Sequence, residues 1–204
     1  MKYAFFSALF AALISFAAMA ETAKAATSAA LFVEKMGKTA LTSLTAADIA
    51  ASEREERVRK LLHANFDLST IGRFAMGPYW KTATDAQKKE YMTLFEDMIV
   101  KTYARRFEEY SGQSFQVTGS EEAGERDSIV KSQIIVKDGP PLNVDWRVRN
   151  KDGVYKIVDV VVESVSMSVT QRSDFAAVIQ GGGGQIEALL SSLRQRKDRA
   201  AQKL

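Results

Sequence analysis

The chain has 204 residues, 46% hydrophobic and 26% charged, with three prolines; these proportions suit one globular domain and exclude a disordered or fibrous chain. With 28 Lys and Arg against 25 Asp and Glu, the net charge of +3 is too near neutral for the concentrated basic face of a duplex binder. Cysteine is absent and the lone histidine is His63, which excludes disulfides, thiol nucleophiles and iron–sulfur or cysteine–zinc sites and leaves little for a histidine-based triad.

Met1-Lys2 carries one positive charge, Tyr3 to Ala18 carries none, and Ala18-Met19-Ala20 places small residues just before Glu21. This is the layout of a cleaved secretory signal peptide, so residues 1–20 are expected to be removed and residues 21–204 to form a single domain. An uncleaved membrane anchor is the alternative, since the run is near the lower length limit of a span. No cysteine follows, which excludes a lipoprotein, and a cysteine-free exported chain fits a bacterial periplasm.

Leu31, Phe32, Met36, Leu41 and Leu44 recur at helical spacing and predict a helix over 28–44. Ser52 with Glu55 reads as a capping box opening a second helix to residue 64. A short helix over 67–76 is stopped by Gly77-Pro78, and Thr84 with Gln87 opens a long amphipathic helix to residue 110, roughly 40 Å in length. After Gly112 the period becomes two. Phe115 and Val117 mark a first strand, and Val130, Ser132, Ile134 and Val136 a second. Leu142, Val144, Trp146 and Val148 alternate with polar neighbours in a third, and 154–162 forms a fourth. Turns at Asp138-Gly139-Pro140 and Asn150-Lys151-Asp152-Gly153 join them into an antiparallel meander. Helical pattern returns over 167–179 and 185–196, with Gly181–Gly184 between. Helices, a four-stranded antiparallel sheet, then helices make the fold class α+β.

Enzyme motifs are scarce. No GxSxG elbow, HExxH or Walker loop occurs. The four glycines follow a helix and lack GK[ST], so they read as a turn rather than a phosphate cradle. His63 reads as a structural or surface histidine, and Asp145 with Asp159 is a weak candidate for a carboxylate pair. The stronger signal is apolar. The long helix carries Tyr91, Leu94, Phe95, Met98, Ile99, Thr102, Tyr103 and Phe107 on one stripe, which is expected to meet the sheet face of Val130, Ile134, Val136, Leu142, Val144, Trp146 and Val148. Phe74, Met76, Tyr79 and Trp80 lie earlier in the chain. Pattern alone leaves open whether these faces close into a dry core or leave a cavity.

Several of these residues carry a resemblance. Phe66-Asp67, Met76-Gly77-x-x-Trp80, the Thr84–Gln87 helix start, Tyr103 and Tyr110-x-Gly112 are joined by the run from Val158 through Asp159 to Ser166 and by Arg172-Ser173-Asp174-Phe175. Over residues 30–195 the chain resembles the MlaC, or toluene-tolerance, family of periplasmic phospholipid-binding proteins. It departs at Met76, where the family has Leu, at Tyr155, where it has Trp, at Ser164, where it has Gly, and at Thr170-Gln171-Arg172, where it has Asn-Tyr-Arg. The last form is closer to the hopanoid-associated branch, HpnM.

The resemblance implies an α+β domain enclosing an apolar lipid cavity, without catalysis or cofactor. It implies a soluble, monomeric carrier shuttling phospholipid, or a hopanoid, between an outer-membrane lipoprotein complex and an inner-membrane ABC transporter with its substrate-binding ring. It involves no nucleic acid and only transient membrane contact, and it serves outer-membrane lipid asymmetry. Phe74, Trp80, Phe95, Met98, Ile99 and Tyr103 would then line the cavity from the helices, and Ile134, Val144, Trp146 and Val148 from the sheet. Arg147 and Arg172 are head-group candidates, with surface or ion-pair roles as the alternative. The basic tail of Arg194, Arg196, Lys197, Arg199 and Lys203 would suit anionic membranes or simply a solvated helix end. Two rivals stand beside this: a small-molecule enzyme on a cone-shaped helix-and-sheet fold using Asp159, and a solid interaction module.

Overall fold

The computed structural model describes residues 27–46, 48–137 and 139–201, with side chains as far as Lys197. The expected leader, Asp138 and Lys203 lie outside the described residues, as does the side chain of Arg199. The helix over 27–44 (α1) runs into a short connection, and α2 spans Ala51–Asn65. The Ser52–Glu55 box does not form. Arg54 N–H donates to the Ala50 carbonyl, so the helix begins before Ser52 and is capped by no side chain. The buried Arg54 guanidinium instead donates to the Leu44 carbonyl at 3.2 Å, fastening the α1–α2 corner.

Helix α3 spans Leu68–Met76, with Asp67 Oδ1 accepting from Thr70 N–H at 2.9 Å. It ends at Gly77, whose φ of 60° and ψ of −136° suit glycine alone. A single turn, α4 (Tyr79–Thr82), leads to α5 (Asp85–Glu108), where Thr84 and Gln87 form the expected reciprocal box.

The sheet has five strands rather than four: β1 (Ser114–Glu122), β2 (Asp127–Ile135), β3 (Leu142–Lys151), β4 (Val154–Val162) and β5 (Val165–Ser166), antiparallel in that order. The fifth, two residues long, is too short to show a period. It pairs with β4 through a two-residue turn in which Glu163 (φ 46°) and Ser164 (φ 67°) both adopt the left-handed conformation. That conformation is strained for residues with a Cβ. Ser164→Gly is therefore expected to stabilise the chain by about 1 kcal/mol, read as a higher urea midpoint at unchanged slope.

Helices α6 (Met167–Gly181) and α7 (Ile186–Ala201) complete the chain. The glycine run between them is a turn: Gly183 and Gly184 take positive φ, and a Cβ on Gly182 would collide with that of Ala188.

The expected meeting of the long helix with the sheet is not what the structure shows. The first half of α1 covers the apolar sheet face, where Ala29, Val33 and Met36 pack with Val130, Val148 and Ile157. Its second half turns to the helices, with Ala40 and Leu44 against Val58, Leu62, Val100 and Ala104. Helix α5 packs chiefly against α7, α2 and α3. Periodicity marked both faces as apolar, but α1 is the element that fits flat on the strands. Gly37 makes the fit possible, because a Cβ there would run into the Phe115 ring.

Candidate functional site

The ten residues expected to line one cavity fall into different packing groups. Phe95 is 1% exposed among Tyr91, Phe175, Ile179, Leu189 and Leu190, stacked on Tyr91 with ring centres 5.6 Å apart and edge-on to Phe175 at 6.3 Å. The Tyr91 hydroxyl donates to the Gly72 carbonyl at 2.9 Å, and burial pushes its pKa up. Trp80 borders this group, edge-on to Tyr91, and Met98 also packs against it. Ile99 touches this group and the α1–α2–α5 group, and Tyr103 touches the latter. Phe74 lies at the surface.

On the sheet, Val144 and Val148 are buried and Ile134 and Trp146 half-buried. Trp146 Nε1–H donates to Ser132 Oγ at 2.9 Å, and Ser132 donates to the Val144 carbonyl at 2.7 Å. That chain satisfies the polar atoms of both side chains on the apolar face.

Two open clefts are present among the described residues. One of about 370 Å³ lies between α2, α5 and α7, lined by Leu94, Met98, Leu193 and a mixture of charges including Asp97, Lys101 and Arg105. The other, about 310 Å³, is lined by Asp67, Arg149 and Lys156 among others. Of the ten expected lining residues, only Met98 borders either.

What the structure does contain is a seam between two layers that are each packed internally. Leu61 and Phe66 belong to both the α1–sheet group and the α1–α2–α5 group. Tyr103 and Phe107 flank them on the helix side, and Phe115, Val117, Trp146 and Tyr155 on the sheet side, all half-buried. Phe66 was visible in the sequence only as a member of a motif, and Leu61 only as one apolar residue within the second helix. Nothing in their spacing marks them as the residues that touch both layers.

The charged candidates are engaged. Arg147 Nε and Arg149 Nε each donate to Asp127 at 2.8 Å, and Arg149 Nη2 adds a third bond at 2.9 Å. Arg172 sits with its guanidinium 5.1 Å from the centre of the Phe74 ring. In the basic tail, Arg194 pairs with Glu90 and Glu187 and Lys197 with Asp97. Asp159 accepts from Val160 N–H, Ser166 Oγ–H and Ser168 N–H at 2.9, 2.6 and 3.1 Å, which makes it the clasp between β4 and the start of α6. His63 is exposed, 3.1 Å from Glu96. Among the described residues no cluster of His, Asp and Glu is suited to hold a metal ion.

Three aspartates are held below the usual carboxylate range. Hydrogen bonds from Arg149, and then Arg147, hold Asp127 below the usual range. For Asp97 burial acts upward, but hydrogen bonds from Lys197 and Arg59 outweigh it; for Asp67 those from Thr70 and Ser69 do the same. A folded pKa below the unfolded one makes the stability present above the unfolded value and lost as pH falls through the folded one. The thermal midpoint is accordingly expected to hold from neutrality to about pH 4 and to fall steeply below it; a flat profile to pH 2.5 would show these bonds to be inert.

The profile of the MlaC protein family matches residues 34–195. The chain belongs to the MlaC family. Over 142 residues it is 28% identical to the intermembrane phospholipid transport system binding protein MlaC of Haemophilus influenzae, across 68% of this chain and 65% of that protein's length. The phospholipid-binding protein of Ralstonia solanacearum, solved in complex with a phospholipid, superposes with a TM-score of 0.73 at 22% identity, covering 85% of this chain and 98% of that one. At that identity the likeness is one of fold. Among the described residues no helix is long and apolar enough to cross a membrane.

Proposed function

We propose that this MlaC-family chain is a lipid carrier of the periplasm. It holds the tails of a phospholipid along the seam between sheet and helices and moves between the outer membrane and an inner-membrane ABC transport system. The observation that carries this reading is the seam itself: Leu61 and Phe66 pack against both layers, and each layer adds half-buried aromatic side chains beside them. An apolar tail separating Leu61 and Phe66 from their neighbours would replace those contacts rather than open a hole in either layer. The named relatives, one a phospholipid transport binding protein and the other bound to phospholipid, support the same class of ligand.

The physical need is large. An acyl tail of about 15 carbons resists entering water by roughly 12 kcal/mol at ~0.8 kcal/mol per CH₂, so transit requires an apolar sleeve. Ile99, Tyr103, Trp146 and Val148 belong to the two layers of the seam and, with Ile134 and Val144 on the same strands, are the lining residues of this proposal. The expected leader supplies export, and a site without nucleotide chemistry leaves the energy to an ATPase partner. Asp159, fully used as a clasp, argues for a carrier rather than an enzyme.

Native mass spectrometry of the chain purified without detergent, followed by lipid extraction, tests this. Stoichiometric phospholipid is expected, and a hopanoid would move the protein to the HpnM branch. A mass free of lipid that stays so after incubation with liposomes would overturn the reading. Val144→Trp is expected to lower bound lipid while circular dichroism stays unchanged; undiminished lipid would take Val144 out of the lining.

A further inference from the structure

Leu31 and Val154 are exposed singly among the described residues, whereas one corner gathers several exposed apolar side chains. Phe74 on α3, Val165 on β5 and Val169 on α6 are 39%, 51% and 52% exposed. Leu142, 37% exposed, adjoins them: Val144 pairs with Val162, Val162 with Val165, and Glu163 N–H donates to the Asn143 carbonyl beside Leu142. Val169 and Arg172 lie one turn apart on α6, and Arg172 reaches across to Phe74. The corner is therefore one surface drawn from four elements.

Its cations are unpaired. Arg172 and the exposed Arg73, next to Phe74 in the chain, form no ion pair among the described residues. The nearby acid, Glu163, has its carboxylate turned onto the Asn143 N–H at 2.5 Å. Arg172 is also held in place. Gly77 lies against it, and a Cβ there would stand 3.1 Å from Arg172 Nε, while the Phe74 ring supports the guanidinium from one side. The basic tail and the larger cleft differ: Arg194 and Lys197 are neutralised by carboxylates, and the cleft between α2, α5 and α7 mixes both signs.

Exposed apolar side chains beside unneutralised arginines match the boundary of an anionic bilayer, where the apolar groups enter the acyl margin and the cations meet phosphate. We infer that the corner of Phe74, Val165, Val169 and Leu142, with Arg73 and Arg172, docks on the surface of an anionic phospholipid bilayer. This rests on the carrier reading and adds to it a face for direct contact with the membrane.

Flotation of the purified chain with vesicles of phosphatidylcholine alone, or with 30% phosphatidylglycerol, tests the inference. The chain is expected to float with the anionic vesicles, at least tenfold less with the neutral ones, and less as salt rises. Arg172→Glu is expected to lower binding about fivefold or more, and Val169→Glu with Phe74→Glu to abolish it. Val169→Trp is expected to strengthen binding, a gain that misfolding does not mimic. Absence of flotation with anionic vesicles, or flotation indifferent to all of these changes, would overturn the inference and leave the corner to a protein partner. Lipid content measured on the same preparations separates the two readings: a lipid-loaded chain that ignores vesicles loses only this face, and a lipid-free one loses the carrier.

Discussion

Phe95→Ala is expected to destabilise the chain by about 3–5 kcal/mol, the range for removing a fully buried phenyl ring from a core that cannot collapse around the gap. The ring is clamped by Tyr91 and Phe175, and by Ile179, Leu189 and Leu190 of α6 and α7. Four helices meet there, so none can shift to fill the void without losing contacts elsewhere. Equilibrium urea unfolding reads the effect directly. The same residue was also expected to touch lipid. If it does, the unfolding loss will be well under 2 kcal/mol in lipid-free protein and the main change will be in bound lipid. The magnitude therefore decides between a core ring and a wall of the binding site.

Asp127→Ala is the second large effect, expected at about 2–3 kcal/mol. Its side chain is only 5% exposed and accepts three bonds from two guanidinium groups. Alanine strands both arginines, but these are partly exposed and recover some water, so the loss falls short of that for a fully buried pair. Because Asp127 is the first residue of β2 and the arginines belong to β3, the change loosens one end of that strand pair. Hydrogen exchange should show amides near Asp127 and Arg149 opening sooner than those near Val144. Equal opening along the whole ladder would mean the cluster does not pin the register.

Both effects bear on what the sequence could tell. The Thr84–Gln87 box was legible because its two partners are three residues apart and bond to each other's backbone. The alternation of Val144, Trp146 and Val148 was legible because a strand with one covered face leaves that period. Asp127 was not, since its partners lie 20 and 22 residues away and come together only through the register of β2 on β3. The identity of the sheet's cover was not legible either. An apolar face declares that something must lie on it, and α1 and α5 both offered matching stripes. What selected α1 is Gly37, which lets a helix backbone sit on the Phe115 ring. The seam escaped for the same reason: it depends on which residues are left half-covered after two layers have chosen their partners.

Helix α1 has a consequence for the order of events in making this protein. Ala29 and Val33 find their partners at Val148 and Ile157, more than a hundred residues downstream. The first half of this helix therefore has no sheet to lie on until β3 and β4 have formed, and contacts so distant in sequence slow the final closure. The N-terminal helix is thus among the last elements to find its place, although it is the first in the chain.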